Sequence, residues 1–260
     1  MKRLGLLHTP APVTVARFSA LAMARKAPPP LIDWHAALPA NGDPLGNDIT
    51  SDCAEAAPYQ ALAMRMACSW GSNWRPVTAD VIAYYERLTG YDPANPATDL
   101  GTMTNQQMLD WARNGIQPGP QVNDVIHWLS LHNLHDVDLI RIAIAELGPV
   151  QMSFALPLAL RDAPSTAPWM MPPGSLGMPE WQFGSWGYHR VMCGAYDAAA
   201  ETWTIRTWGV DVTMSTNFWL TYGVAADATL SRTWFNAQGL SPRGGVWDQM
   251  RAEFRSIEVV

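Results

Sequence analysis

One stretch of the sequence decides the fold, Leu45-Gly46-Asn47-Asp48-Ile49-Thr50-Ser51-Asp52-Cys53-Ala54-Glu55-Ala56-Ala57. Its first half is polar and predicts a loop, and Ser51 and Asp52 are residue types that cap the first turn of a helix. From Ala54 to about Cys68 the alanine-rich sequence predicts that helix, with small and apolar residues recurring every three or four positions. Pro58 would remove one backbone hydrogen bond and kink it.

Cys53 stands in the first turn of this predicted helix. A thiol there lies at the positive end of the helix dipole, which favours the nucleophilic thiolate. A single cysteine among alanines is more commonly a small buried apolar residue, so this stretch by itself favours a structural role.

A second stretch contains a histidine suited to activate such a thiol. It reads Gly184-Ser185-Trp186-Gly187-Tyr188-His189-Arg190-Val191-Met192-Cys193-Gly194-Ala195-Tyr196-Asp197 and predicts a strand that carries His189 and ends in a turn. A strand-like run follows, Thr202-Trp203-Thr204-Ile205, and leads into Arg206-Thr207-Trp208-Gly209. The interval from Cys53 to His189 falls within the roughly 130–150 residues that separate nucleophile and histidine in papain-type enzymes.

This order of motifs resembles the papain-like cysteine peptidase superfamily. Within it the chain is most similar to small, mostly uncharacterised members from bacteria and their phages, which carry three short motifs in a fixed order. The matching segments here are Gly46-Asn47-Asp48…Asp52-Cys53, Gly90-Tyr91-Asp92-Pro93, and Trp186-Gly187-Tyr188-His189…Thr207-Trp208-Gly209. The resemblance covers roughly residues 45 to 250.

The resemblance implies a papain-like α+β fold, in which a helical subdomain is followed by an antiparallel β-sheet subdomain with a cleft between them. Cys53 would be the nucleophile, His189 its base and Trp208 a shield for the imidazole. Asn47 occupies the place of the family's oxyanion-binding glutamine and offers the same amide donor on a shorter arm. Arg206 stands where the family has the asparagine that orients the histidine, and a guanidinium has no acceptor for an imidazole N–H. Another side chain or a backbone carbonyl would then have to orient His189.

Two functions follow from these residues. The first is a cysteine peptidase or related thiol hydrolase that uses a Cys53–His189 dyad on a peptide or protein, cell-wall peptides included, without a cofactor. The alternative is a catalytically inactive papain-like structural or adaptor protein, such as a phage virion component. The expected location is the cytoplasm, or the virion if the chain is phage-encoded.

Composition narrows the classes of partner. With a net charge of −6 the chain lacks the clustered basic residues that bind nucleic acid, and no apolar run predicts a membrane span. Three cysteines, none in a Cys-x-x-Cys pair, indicate neither a disulfide framework nor a zinc site. His127, His132 and His135 lack partners at ligand spacing and are interpreted as surface or capping residues, so no metal is expected.

The domain organisation follows the same patterns. Residues 1–41 are expected to form an N-terminal arm or linker, because Pro28-Pro29-Pro30 forces an extended connection. The arm would bind a neighbouring subunit, as in a homo-oligomer, or lie across its own domain, and it is too short to resemble the family's inhibitory propeptides. Residues 42–260 would be the papain-like domain, helical over about 42–148 and β-rich over about 149–260.

Local patterns place the remaining elements. The sequence predicts helices at 11–26, 79–88, 104–114, 138–147 and 243–254, and strands at 150–156, 202–207 and about 229–234. Residues 122–133 fit a strand or a short helix. The proline-rich stretch 161–184 predicts a long loop that forms one wall of the cleft just before His189.

Overall fold

A computed structural model of the chain describes residues 2–9, 15–119 and 122–257. Its helices are α1 Cys53–Trp70, α2 Thr78–Thr89, α3 Thr104–Asn114, α4 Val137–Leu147, α5 Thr216–Tyr222 and α6 Trp247–Ile257. Its strands are β1 Leu6–Leu7, β2 Ala16–Arg17, β3 Leu31–Asp33, β4 Thr102–Met103, β5 Ile116–Gly119, β6 Val122–Asp124, β7 Ile126–Ser130, β8 Val150–Leu156, β9 Gly187–Asp197, β10 Thr202–Thr207, β11 Val210–Ser215 and β12 Gly223–Ser231. The predicted α+β class is confirmed.

Helix α1 confirms the prediction from the alanine-rich stretch. It continues through Pro58 and ends at Gly71, which adopts the left-handed conformation that glycine accepts at a helix end. The predicted side-chain cap is wrong, because Asp52 sits at the N-cap position without a side-chain cap bond. Its backbone carbonyl instead accepts the N–H groups of Glu55 and Ala56. Small residues on most of α1 let it pack closely between the sheet and the other helices of the first half.

The second half of the chain supplies most of a large, mainly antiparallel sheet. Its strands lie in the order β11-β10-β9-β8-β12-β7-β2, and β3 adds to β9 outside that path. The ambiguous segment 122–133 forms strands, and β7 joins this sheet although it lies within residues 42–148. Helix α4 was predicted almost to the residue and packs against the sheet. Tryptophans fill much of the interior, among them Trp111, Trp169, Trp203, Trp219 and Trp234.

The described part of residues 1–41 lies across its own domain. Strands β2 and β3 pair with β7 and β9, while Phe18, Leu21 and Met23 are buried in the main core. Residues 11–14 of the helix expected at 11–26 lie outside the described part of the chain. Over 15–26 that prediction is wrong, since a strand and two 3₁₀ turns replace the helix. Burial of single apolar anchors outweighs helical propensity there.

The long loop at 161–184 contains short 3₁₀ turns and is anchored at intervals. The Trp169 backbone N–H donates to the Thr213 carbonyl at 2.8 Å, and the Tyr222 hydroxyl donates to the Trp181 carbonyl at 2.7 Å. Among the described residues no helix is long and apolar enough to cross a membrane, and no group of three His, Cys, Asp or Glu side chains could hold a metal ion.

Candidate active site

Cys53 begins α1 and lies against the start of β9. Its side chain is 1% exposed, and the backbone N–H groups of Arg190 and Gly5 face the sulfur. Arg190 directly follows His189 in β9, so Cys53 lies beside the strand that carries His189. Among the described residues neither ring nitrogen of His189 is hydrogen-bonded to the Cys53 sulfur, since Nε2 bonds Thr207 and Nδ1 has no partner.

The imidazole of His189 is held on one edge and one face. Its Nε2 atom lies 2.7 Å from the Thr207 hydroxyl, and its ring stacks on Trp208 with centroids 4.4 Å apart and planes 9° apart. Within the described residues the buried Nδ1 atom has no hydrogen-bond partner. The ring is therefore oriented with one nitrogen left to exchange a proton.

The structure brings Thr207, and not Arg206, to the imidazole. The sheet register pairs Arg206 with Met192, which places Arg206 on the face that also carries Arg190, while its neighbour Thr207 shares the face of His189. Arg206 turns to Asp211, with two N–O distances of 2.7 and 2.8 Å, and to the Pro39 carbonyl. Arg206, at the expected triad position, thus binds Asp211 and the Pro39 carbonyl instead of the imidazole.

A hydroxyl suits this position because its oxygen can accept a hydrogen bond. It can accept from Nε2–H of a neutral imidazole, which leaves Nδ1 unprotonated, and from Nε2–H of an imidazolium. Both protonation states of His189 therefore keep the bond to Thr207.

Trp208 is held in an unusual backbone conformation. It forms, with Gly209, the two-residue turn between β10 and β11, and both residues have positive φ, 47° and 78°. Such a turn favours asparagine and glycine, so tryptophan in the left-handed region carries strain. The strain is offset by stacking on His189 and by a 3.1 Å hydrogen bond from the indole N–H to the Arg3 carbonyl.

The helix side of the site is rich in buried carboxyl groups. Asp52 and Glu55 are both fully buried, and burial raises the pKa of Asp52 well above its ordinary value and that of Glu55 to about 8. Asn47 is buried beside them, and its amide makes a long 3.5 Å bond to the Thr50 carbonyl. The candidate oxyanion donor is therefore near the helix N-terminus but is directed at its own loop.

Residues Lys2–Thr9, here called the N-terminal strap, pass between the helix side and the sheet side of the site. Against the sheet side, the Lys2 ammonium donates to the Leu160 carbonyl at 2.9 Å and lies over the Trp208 ring, while His8 stacks on Tyr188. Against the helix side, Leu6–Leu7 pairs in parallel with Thr102–Met103.

The strap lies against Cys53 and over the Trp208 ring that stacks on His189. Leu6 is buried in an apolar cluster with Cys53 and Ala54, and His189 is, like Cys53, only 1% exposed. Eight extended residues are long enough to reach from the sheet side to the helix side, because an extended chain advances about 3.3 Å per residue. The N-terminal segment, predicted to be too short to resemble the family's inhibitory propeptides, nevertheless packs against Cys53.

Burial beneath the strap also suppresses the ion pair. It raises the pKa of the Cys53 thiol to about 12, a shift to which the nearby Glu55 carboxyl adds. Burial, with a smaller effect of the Lys2 charge, lowers the pKa of His189 to about 3. Thiol and imidazole are both neutral near pH 7 in this closed form.

The sequence did not predict that the Arg190 side chain, next to His189, forms a buried hydrogen-bond network. The guanidinium of Arg190 is buried and donates to Gln151, Ser153 and Asp227 at 2.7–2.9 Å. Asp227 also accepts from the Trp128 indole at 2.7 Å. A lone arginine in an apolar strand was the available signal, since a charge at a buried position needs partners.

The solved structures that are similar to this chain include the following three. Xylellain, a cysteine protease from Xylella fastidiosa, has a TM-score of 0.66 at 14% identity, covering 88% of this chain and 96% of its own. Procathepsin B S9 from Trypanosoma congolense has a TM-score of 0.59 at 13% identity, covering 88% and 86%. Digestive procathepsin L 3 of Tenebrio molitor larval midgut has a TM-score of 0.55 at 13% identity, covering 84% and 74%.

The fold is papain-like. The sequence matches no family model and no curated protein, and identities this low show the fold alone. The predicted fold class is confirmed by structures that differ from this chain at most positions.

Proposed function

We propose that this chain is a papain-like thiol hydrolase, most simply a cysteine peptidase, whose site is closed by its own N-terminal strap. The observation that carries the proposal is the setting of His189, with Nε2 on Thr207, a face on Trp208 and Nδ1 free of hydrogen bonds among the described residues. A buried histidine kept only for packing would be expected to satisfy both nitrogens. The neighbouring Cys53 at a helix N-terminus supplies the matching nucleophile.

The reaction proceeds once the strap leaves. The Cys53 sulfur transfers its proton to Nδ1 of His189 and attacks the carbonyl carbon of a peptide bond. The oxyanion is stabilised by the Cys53 backbone N–H and by the Asn47 amide, which turns from the Thr50 carbonyl to the substrate. The C–N bond breaks as His189 returns the proton to the leaving amine. Water, deprotonated by His189, then cleaves the thioester and regenerates the thiol.

Thr207 is the positioning residue in this mechanism. It takes the place of the third triad member by holding Nε2 through both protonation states of the imidazole. Arg206 supports the same strand from its other face through Asp211.

The substrate class is a peptide or protein, and cell-wall peptides are a narrower proposal within it. The similarity to xylellain, named as a cysteine protease, supports this class. The described part of residues 1–41 packs on its own domain, which supports a role inside one molecule; binding of a second copy remains an alternative proposal.

A second candidate is a catalytically inactive structural or adaptor protein, including a component of a phage particle. The observation that favours it is the closed state itself, in which Cys53 and His189 are buried and neutral. It differs from the first proposal in one respect: displacement of the strap would not produce turnover.

The test displaces the strap in the full chain. Gly5→Val is designed to displace the strap, because a side chain at Gly5 would overlap the Ser51 backbone. We expect Gly5→Val to hydrolyse a mixed peptide library, with products identified by mass spectrometry, and Gly5→Val combined with Cys53→Ala to be inactive. If the thiol becomes accessible and no peptide is cleaved, the adaptor proposal replaces the peptidase.

A further inference from the structure

The strap crosses Cys53 through a narrow gap, and backbone atoms line both sides of this gap. Gly5 crosses the thiol there, with its N–H facing the sulfur and its carbonyl accepting the Thr102 N–H at 2.7 Å. A Cβ atom at Gly5 would overlap the Cα, carbonyl carbon and carbonyl oxygen of Ser51. A Cβ atom at Gly101, on the opposite side, would overlap the Gly5 carbonyl. The gap between these two walls is therefore the width of a bare backbone.

These walls cannot yield by rotating a side chain. The Ser51 N–H donates to Asp99 at 2.9 Å, and α1 starts two residues later. On the other wall, the Gly101 N–H donates to the Tyr85 hydroxyl at 2.9 Å. Asp99 also accepts from the same Tyr85 hydroxyl, so one partly buried hydrogen-bond network fixes both walls.

The positions on either side of Gly5 are wider and apolar. Leu6 is buried against Cys53 and Ala54, and Leu4 lies against Gly187 and packs on the main core. The strap thus shows which pattern the cleft admits: a glycine over the thiol, with leucine-sized residues beside it.

We propose that the site is specific for glycine at the position that crosses Cys53, so that its substrates are peptides or protein segments with an apolar residue next to that glycine. This rests on the proposed function and deepens it. The carbonyl carbon of the substrate glycine is attacked by the Cys53 sulfur, the C–N bond to the following residue breaks, and the departing amine receives the proton from His189. Ser51 and Gly101 determine the specificity through their backbone.

The strap itself escapes this reaction. The Gly5 carbonyl is bound to the Thr102 N–H, which directs it towards β4, while the Asn47 amide is bound to the Thr50 carbonyl. The strap's glycyl carbonyl is therefore not held by the candidate oxyanion donor. A segment of the right shape in this register blocks the site without being cut.

The test uses electrophiles that label the thiol without any need for hydrolysis. Full-length Gly5→Val protein is treated with acetyl-Leu-Leu peptides ending in a glycine vinyl sulfone or an alanine vinyl sulfone. The Cys53 sulfur adds to the vinyl carbon and a proton is taken up at the carbon next to the sulfone. Leu6→Asp, which places a charge in the apolar cluster around Cys53, serves as a second way to displace the strap if Gly5→Val does not fold.

We expect the glycine probe to label Cys53 at least about 30-fold faster than the alanine probe, measured by mass spectrometry of the cysteine peptides. Equal rates, or faster labelling by alanine, would overturn the glycine rule. So would the absence of labelling by both probes on protein whose Cys53 reacts with iodoacetamide. Fast glycine labelling without turnover of any peptide would leave the glycine rule in place and refute the peptidase.

Discussion

The two sides of the cleft are prepared to different degrees. On the sheet side, His189 is already oriented by Thr207 and Trp208 and anchored through the Arg190 network. On the helix side, Cys53 is covered by Leu6 and Asn47 is bound to its own loop. In the proposed mechanism, the base is therefore already oriented by the sheet, whereas the proposed nucleophile and oxyanion donor become available only after the strap leaves.

The largest expected effect is on the helix side of the cleft, where the strap covers Cys53. Displacing the strap with Gly5→Val should raise the alkylation rate of Cys53 by iodoacetamide at pH 7.5 by about 100-fold or more, because hydration and a nearby imidazolium restore the thiolate. The rate is read for each cysteine by mass spectrometry. Gly177→Val is the matched control, since a side chain there meets open space.

Cys193 is an internal control for the same experiment. It is fully buried and burial raises its pKa to about 12, so its rate should stay low in all variants. Equal acceleration of Cys53 and Cys193 would mean that Gly5→Val unfolds the domain and would remove the distinction between the two sides of the cleft.

The next effect concerns the support of the sheet side. Arg206→Asn should lower the free energy of unfolding by about 2–3 kcal/mol, because it breaks a largely buried ion pair whose aspartate keeps some exposure. Burial alone would raise the pKa of Asp211, but hydrogen bonds from His35 and Arg206 outweigh it and lower the pKa. Urea denaturation measures the loss.

The same variant tests whether Arg206 marks a decayed triad. Because Thr207 already holds the imidazole, asparagine at 206 should bring no gain in turnover in the Gly5→Val background. A large gain would show that Arg206 suppresses catalysis. Arg161→Asn, which breaks an exposed pair with Asp162, should leave stability unchanged and serves as the control.

A smaller effect is expected at the positioning residue. Thr207→Val keeps the shape and removes the hydroxyl, so turnover by Gly5→Val protein should fall by about 10- to 100-fold. Thr207→Ser should restore most of it. The pH profile separates positioning from packing. Loss of the hydroxyl should shift the alkaline limb, where the His189 imidazolium loses its proton, whereas a purely structural defect would lower the rate equally at every pH.

The smallest expected effect is the pH dependence of stability that Glu55 contributes on the helix side. Glu55 has a pKa raised from 4.5 to about 8, chiefly by burial, so the folded state keeps a proton that the unfolded state releases. Its contribution to stability is therefore present below pH 4.5 and is lost as the pH rises to about 8. Glu55→Gln cannot ionise. The stability of the native protein relative to this variant should fall by up to about 1.4 kcal/mol per pH unit across that window.

Urea midpoints at pH 5, 6.5 and 8 measure this slope. The lowered pKa of His189 acts in the opposite direction between about 3 and 6.5, but it is common to both proteins and cancels in the difference. Glu180→Gln, at an exposed residue, is the control and should show no trend. Parallel curves for native protein and Glu55→Gln would indicate that Glu55 is solvated.

Sequence patterns were sufficient where the signal is local or periodic. The alanine-rich run after Cys53 predicted α1, and alternation predicted β8. The interval from Cys53 to His189 predicted that the two residues share a site, and this stays a prediction. The papain-like fold followed from the order of these pieces.

The remaining features depend on tertiary contacts that no local pattern encodes. Whether Arg206 or Thr207 meets the imidazole depends on the β9–β10 register, which includes an irregularity between Thr204 and Ile205. The strap is short and aperiodic, and Leu6 is buried only because Cys53 and Ala54 lie beside it. Glu55 carries a polar side chain in a helix, which favours an exposed position until the packing is known.

The most direct test of the central claim is the pH dependence of Cys53 alkylation in the native protein and in Gly5→Val. We expect the midpoint in the native protein to lie near 12, as burial dictates, and the midpoint in Gly5→Val to fall well below the free-thiol value of about 8.5. That pair of results would establish an activated nucleophile hidden by the strap. A midpoint at or above about 8.5 in both proteins, with Cys53 accessible in Gly5→Val, would contradict the account and leave a papain-like domain without a working thiol.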